Sequence, residues 1–522
     1  MSSVKIGKKL ILSLTSGMYE DSRFIFREYI QNAADQIDIA ISEGLITANE
    51  ANIIIHIDKA ERNIIIYDNA TGIKSEEVIK QLGDVGDSDK SGDETKGFIG
   101  IGRLGGLAYC KNLIFSTSYK GERIKTIMTW NADLLHKLIH DPSIEDDASS
   151  VIQRSFSVVY EEASEDEHFF QVELNSIHDE NNELLEIQKV KDYLSMVAPV
   201  PYENLFFLSA KIKDNIKENH YPKLEEYKVL INGEQIYKAY RKNIYQKQGN
   251  DRKVIDTIHD IAYEEFRKKD GELLAWMWYG ISKFEKVIPN DNIQRGLRLR
   301  CKNIQIGNDK TIVEKEYFKE QRGSYYFIGE IHVVHKDIMP NARRDYFVDS
   351  KTLRYLEINL KRFCSINLGN LYHYASTIRS AFKKESQLEE LVKKYEEKHE
   401  EGFASDIEKE KLNERIESTK KELEKKTKER QRIVEKAKND IVLESSISFI
   451  EDSYSAQPQI NTEKEELDKL KEDKKKYKAN TLSKLNKSER KLVSRIFDII
   501  HKALTADDAE ELTNKICEEL QK

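Results

Sequence analysis

The spacing of apolar and polar positions divides the chain into three kinds of pattern. In the first, residues 1 to about 50 carry helix-spaced apolar residues that stop near Gly44. Then "ANIIIHIDKAERNIIIYDNATGI" supplies two isoleucine-rich runs, Ile53–Ile57 and Ile64–Tyr67. Polar residues Asp58–Asn63 separate them, which predicts a β-hairpin. A helix is expected from about Ser75, with Glu76 and Glu77 in its first turn. A glycine-rich, charged stretch follows from Gly83 to Gly106. "NLIFSTSYKGERIKTIMTW" and "HFFQVELNSI" return to strand patterns, and the acidic stretches 142–150 and 161–167 read as loops. "LEIQKVKDYLSMVAPVPYENLFF" reads as a helix ended by Pro199 and Pro201. Together these predict an α+β layer with helices on one face of a mixed sheet.

The second pattern starts near residue 211. "YKVLINGEQIYKAY" predicts a hairpin turning at Asn232-Gly233. "GELLAWMWYGI", "GLRLRCKNIQIG" and "YYFIGEIHVV" predict further strands of an α/β domain. In the third pattern, from Phe382 to Ile441, Lys and Glu dominate. Leu412, Ile416, Thr419 and Leu423 step by four, three and four, as a coiled-coil seam does, but the seam stops at Lys426 and Arg430. A long charged helix, an antiparallel hairpin and a dimeric coil all fit. Residues 446–462 read as a linker, and Leu492, Ile496, Ile499 and Ala503 line one face of a final helix. The expected organisation is therefore 1–210, 211–375, 376–445 as a long charged helix or coiled coil, and 446–522 as linker plus helices.

Composition narrows this picture. A chain of 522 residues exceeds what one core holds. With 34% charged residues and a net charge of −8, global charge offers no argument for nucleic acid. Cys110, Cys301, Cys364 and Cys517 show neither a C-x-x-C nor a zinc spacing, which fits reduced thiols. The 12 histidines form no metal-ligand pattern, so no structural metal is expected. The start "MSSVKIGKKL" lacks a signal peptide's apolar core, and no run of about 18 apolar residues occurs. A cytoplasmic protein with no membrane span is expected.

Three stretches carry candidate chemistry. In "FREYIQNAADQIDIA", Glu28, Asn32 and Asp35 share one helical stripe beside Ile30 and Ala33. Such a stripe suits a site that orients water and holds a metal-bound phosphate; it equally suits a solvated face. Asp68 ends an apolar strand just before Thr71-Gly72. A carboxylate there can accept adenine's exocyclic amine, and a glycine lets backbone approach the base. The same residues also suit a surface turn. In "KGFIGIGRLGG", Gly97, Gly100 and Gly102 keep G-x-x-G-x-G spacing, so that backbone N–H groups can cradle phosphates. No G-K-[ST] follows, so this is not a Walker loop. The preceding "DVGDSDKSGDETK" reads as a lid.

In this order the three stretches resemble the GHKL (Bergerat) ATPase fold of heat-shock protein 90, MutL, type II topoisomerases, MORC proteins and sensor histidine kinases. "FIFREYIQNAADQ" is most similar to heat-shock protein 90 chaperones. The resemblance implies ATP as substrate and Mg2+ as cofactor. It puts water activation on Glu28, magnesium on Asn32, and nucleotide contacts on Asp35, Asp68, Gly72, Gly97, Gly100 and Gly102. Ala70 departs from the family's Asp-x-Gly-x-Gly, which is tolerable where φ is negative. "VVHKDIMPNARRDYF" resembles the family's middle-domain segment D-L-P-L-N-x-S-R-E, with Asp337, Asn341, Arg344 and Asp345 in register. This implies Arg344 as the γ-phosphate arginine, arriving when the middle domain docks, with Arg343 its nearest competitor. The resemblance reaches from residue 1 to about 375 and leaves a divergent helical tail. It implies an ATP-gated clamp, a homodimer formed through N-terminal contact or the helical tail, and protein clients. The alternative is a clamp on DNA, as in MORC and MutL proteins, in genome maintenance or defence against foreign DNA. Its support is the basic run Lys469–Lys491, which suits phosphates or a solvated helix face.

Overall fold

The computed structural model describes residues 7–9, 11, 21–84, 102–144, 146–249, 251–455 and 477–522. The chain forms two compact units, residues 1–281 with 286–369, and residues 282–285 with 370–522. The architecture is mixed α+β, with sheets in the first unit and long helices in the second.

An eight-stranded sheet organises the start of the first unit. Its strands are β1 (Ile53–Asp58), β2 (Asn63–Asp68), β3 (Cys110–Ser118), β4 (Ile124–Asn131), β5 (Phe156–Glu162), β6 (Phe169–Ile177), β7 (Val229–Ile231) and β8 (Glu234–Gln235). They lie in the order β5-β4-β3-β6-β2-β1-β7-β8. The expected hairpin forms, pairing Ile53 with Asp68 through Asp58 with Asn63. Period-two alternation sends Ile53, Ile55 and Ile57 inward from β1, and Ile64, Ile66 and Asp68 inward from β2. Helix α1 (Phe24–Ser42) buries Phe26, Ile30, Ala33 and Ile37 in the same core. Each such isoleucine contributes about 1.5–3 kcal/mol by leaving water.

The Asn232-Gly233 hairpin also forms, but it joins this first sheet. Val229–Ile231 runs parallel to Ile53–Ile55, and the Asn232 side chain bonds both the N–H and the carbonyl of Ile57. The first sheet thus extends past residue 210, where a boundary was expected. A parallel neighbour needs a long crossover, which local periodicity does not reveal.

Further strands are β9 (Asn243–Gln248) paired with β10 (Asp251–Thr257), and β11 (Asp260–Arg267), β12 (Leu273–Ile281), β13 (Gly296–Cys301), β14 (Ile304–Ile306) and β15 (Ile328–Val333). The last five form a second sheet in the order β11-β12-β15-β13-β14. Glu330 on β15 is wholly buried. It accepts hydrogen bonds from Tyr202 (2.6 Å), Lys238 (2.9 Å), Tyr240 (3.2 Å) and Arg300 Nε (2.5 Å), with His332 Nε2 at 3.1 Å. Burial alone would raise its pKa, but Arg300 and Lys238 outweigh that and hold it well below the usual carboxylate range. Burial pulls Lys238 down to about 7. Arg300 Nη2 donates onward to the Met196 carbonyl at 2.6 Å, in α2 (Ile187–Val197). This polar knot therefore ties the first layer to the second sheet. Helix α3 (Lys351–Arg362), capped by Ser350, follows.

In the second unit, α4 (Gly369–Glu401) and α5 (Asp406–Ala437) form an antiparallel hairpin, cross-linked by Lys398–Glu408 and by Lys384–Glu422 at 2.6 Å. Leu412 and Ile416 pack with Leu391, Val392 and Tyr395, so the heptad-like seam is used within the chain. Helix α6 (Ile441–Ser455) occupies the first part of the expected linker, because Asp440 accepts from the Val442 and Leu443 N–H groups and caps it. Residues 456–462 lie outside the described residues. Helix α7 (Lys487–Ala503) starts with an Asn486/Glu489 capping box. It buries Val493, Phe497 and His501 instead of the expected face. Leu492, Ile496 and Ile499 are 59%, 41% and 64% exposed, and Ala503 is exposed too. The helix has two apolar faces, and packing with Leu482 and α8 (Ala506–Gln521) selects the Val493–Phe497 one. Among the described residues, no helix is long and apolar enough to cross a membrane.

Candidate nucleotide site

The stripe on α1 faces inward. Glu28 and Asp35 are buried and Asn32 is half-buried, so the solvated-face reading of these three residues does not hold. Glu28 Oε1 lies 3.3 Å from Arg27 Nη2 and 3.7 Å from Arg344 Nε. Its Oε2 lies against Gly102, where a Cβ would come within 2.5 Å of it. Gly102 opens a short 3-10 turn, Gly102–Ala108. Tyr29 fastens this turn, its hydroxyl donating to the Arg103 carbonyl (3.0 Å) and accepting from Gly106 N–H (3.1 Å). Gly97, Gly100 and most of the expected lid lie outside the described residues.

Arg344 reaches Glu28 from a tight loop after β15. Pro340 bridges to Phe347, Asn341 N–H donates to the Tyr346 carbonyl, and Asn341 Nδ2 bonds Asp345 at 2.6 Å. Arg344 takes φ +52°, a left-handed conformation costing a non-glycine residue roughly 1–3 kcal/mol. Its guanidinium is buried, which lowers its pKa while Glu28 opposes the shift. Arg343 is exposed. Arg344 thus stands at Glu28 within one compact unit in this structure.

Asp68 occupies an inward position of β2 where Ile64 and Ile66 set an apolar pattern. It accepts one hydrogen bond among the described residues, from Ala70 N–H at 3.1 Å. Burial pushes its pKa up to about 7. A buried carboxylate with so few donors is an acceptor awaiting a partner. Ala70 avoids the left-handed region, so the missing first glycine does not strain the turn. Gly72 has φ +70°, and a Cβ there would collide with the Ser118 carbonyl oxygen. Thr71 Oγ1 donates to Gln36 on α1 at 2.7 Å, joining the turn to the helix. His168 Nδ1 lies 2.6 Å from the Ala70 carbonyl.

Arg27, Tyr29, Gln36 and His168 were not singled out by motif. For Arg27 a signal existed, since the charged pair Arg27-Glu28 interrupts the apolar run "FIFREYI" of a helix that is buried throughout that turn.

Residues 40–166 match the family profile described as histidine kinase-, DNA gyrase B-, and HSP90-like ATPase. The chain is 32% identical over 152 residues to chaperone protein HtpG of Rickettsia prowazekii, covering 26% of this chain and 24% of that protein. It is 28% identical over 144 residues to HtpG of Buchnera aphidicola (24% and 23% covered). Against HtpG of Burkholderia cenocepacia it is 29% identical over 143 residues, again covering 24% and 23%. The chain therefore spans about a quarter of the length of the curated relatives it matches.

Proposed function

From a chain whose N-terminal part is a GHKL-type ATPase domain resembling heat-shock protein 90, we propose a magnesium-dependent ATP hydrolase that works as an ATP-gated clamp on protein clients. The observation that carries this reading is the pairing of two buried, under-satisfied carboxylates on the α1–β2 layer. Asp68 accepts from Ala70 alone among the described residues, and Glu28 lies between Gly102 and Arg344. Asp68 takes adenine's amine as its missing donor. Glu28 accepts a proton from the attacking water. Arg344 neutralises charge on the transferred phosphoryl oxygens. Arg344 has this role in preference to Arg343 because it is the buried one of the two.

The donors on α1 fit magnesium, since the half-buried Asn32 amide lies one turn from the Glu28 and Asp35 carboxylates, all hard oxygen ligands. When bound there, the ion would screen the phosphate charge. Asp35 and Gly72 complete the nucleotide contacts, with the glycine loop over the phosphates. In this reading the protein is cytoplasmic, and two copies close on a client.

The DNA-clamp reading has less support. Of the basic run, residues 469–476 lie outside the described residues. Lys478, Lys484 and Arg490 donate to Asn514, Lys522 and Leu482 of their own unit. Calorimetric titration of the protein with ATP and magnesium, repeated on Asp68→Asn, tests the proposal. Wild-type affinity in the variant, or heat-silent wild type, rejects it.

A further inference from the structure

The geometry points to a binding surface for the phosphate backbone of a nucleic-acid duplex on the second half of α5. It goes beyond the ATPase reading and does not rest on it. Lys421, Lys425, Lys428, Arg432 and Lys436 are all exposed. Their steps of four, three, four and four put them on one stripe of the helix. The stripe is about 22 Å long at 1.5 Å per residue. None of the five has a hydrogen bond or an ion pair among the described residues. Their neighbours do: Lys426 pairs with Glu429 at 2.8 Å, Lys438 with Glu435 at 2.8 Å, and Arg430 Nε with Glu451 at 2.6 Å. Opposite charges three and four residues apart support a solvated helix, and like charges there weaken it. The stripe takes four like-charged steps in succession, so helix stability does not account for it. Earlier in α5 the same face carries exposed Glu410, Glu414 and Glu417, and it changes sign before Lys421.

A rod of positive charge suits a linear polyanion, and what the helix lacks says which one. α5 contains no aromatic residue, so unpaired bases have nothing to stack on. Its Leu412, Ile416, Ile433 and Ala437 are buried, so they offer nothing to a lipid surface. A duplex backbone needs neither, since its phosphates are met by charge alone and without regard to sequence. At 3.4 Å per base pair the stripe covers roughly six base pairs, and the acidic half of the same face sets its end. This surface lies outside the run Lys469–Lys491, where sequence placed the basic patch.

The test uses the full chain without ATP and a fluorescent DNA duplex of about 20 base pairs, read by anisotropy between about 50 and 200 mM salt. An RNA duplex of equal length, measured alongside, identifies which duplex is held. Expected is micromolar binding at the low end that weakens about 100-fold across the range, as roughly four released counterions require. Replacing Lys421, Lys425, Lys428, Arg432 and Lys436 together by Gln should weaken low-salt binding by at least about 30-fold. Lys487→Gln/Lys491→Gln/Lys502→Gln, which removes exposed cations of α7, should change it by no more than about twofold. Glu410→Gln/Glu414→Gln/Glu417→Gln should tighten it about threefold by lifting repulsion at the end of the stripe. Wild type that binds neither duplex, equal losses in the α5 and α7 variants, or a single strand of thymidylates held as tightly as the duplex each overturns the assignment. So does stripe-dependent binding to vesicles of about 30% phosphatidylserine that is tighter than binding to duplex. Because the assay contains no ATP, failure of this assignment leaves the ATPase reading standing, and failure of ATP to bind leaves this one standing.

Discussion

Two buried carboxylates in the first unit, Glu330 and Glu28, lie among cations in opposite ways. Glu330 has four donors at 2.5–3.2 Å and is wholly buried; every lone pair is answered. Among the described residues, Glu28 has one hydrogen bond of 3.3 Å, a guanidinium at 3.7 Å, and neighbours whose own donors stay unpaired or whose backbone is strained. A saturated network is what stability asks of a buried charge. An open one is what a site asks, because spare donors and acceptors must be available to a substrate. The same chemistry thus acts as a weld in β15 and, in the function proposed above, as a working group in α1.

The sharpest break of this contrast is Glu28→Ala. Turnover should fall by about 10²–10⁴-fold while ATP still binds; a stopped-flow phosphate assay with an ATP titration decides it. Next is Glu330→Ala, which strands Lys238 and Arg300 without a counter-charge. Denaturant unfolding should show about 3–5 kcal/mol lost, and a loss under 1 kcal/mol would make the knot ornamental.

Asp68→Asn sits between the two cases. The Asp68 pKa is raised by burial to about 7 from 3.8. The folded state therefore holds its proton more tightly than the unfolded chain, and stability is given up as pH rises between these values. Removing the charge should stabilise the ligand-free protein by roughly 4 kcal/mol at pH 8 and by well under about 1 kcal/mol at pH 4, while abolishing ATP binding. Thermal melts across pH showing no such slope would refute it. The smallest effects separate the neighbouring arginines: Arg344→Ala should slow hydrolysis by about 10²-fold, and exposed Arg343→Ala by no more than about twofold. The reverse ranking would shift the loop assignment by one residue.

Much of the site was readable in advance. Alternation through Ile64 and Ile66 puts Asp68 on the core side of β2, and helical spacing puts Glu28, Asn32 and Asp35 on one stripe. What spacing left open was whether that stripe meets water or sheet, because the same period serves either. Arg27 was passed over although its charge interrupts the apolar run "FIFREYI", because only the structure shows it to be buried. The face of α7 was misjudged because two apolar stripes compete on it and the choice belongs to its packing partner.

The sequence alone determined what short-range physics controls: strands of period two, helices of period near four, and a turn at Thr71-Gly72. The tertiary structure decided whatever joins distant segments. It placed β7 alongside β1, brought the Arg343 carbonyl to Arg27 across 316 residues, and turned the charged helices into a hairpin instead of a dimeric coil. The reason is that local preferences depend on neighbours along the chain. Which surfaces meet depends on the total burial and hydrogen bonding of all competing arrangements, a balance that no single segment carries.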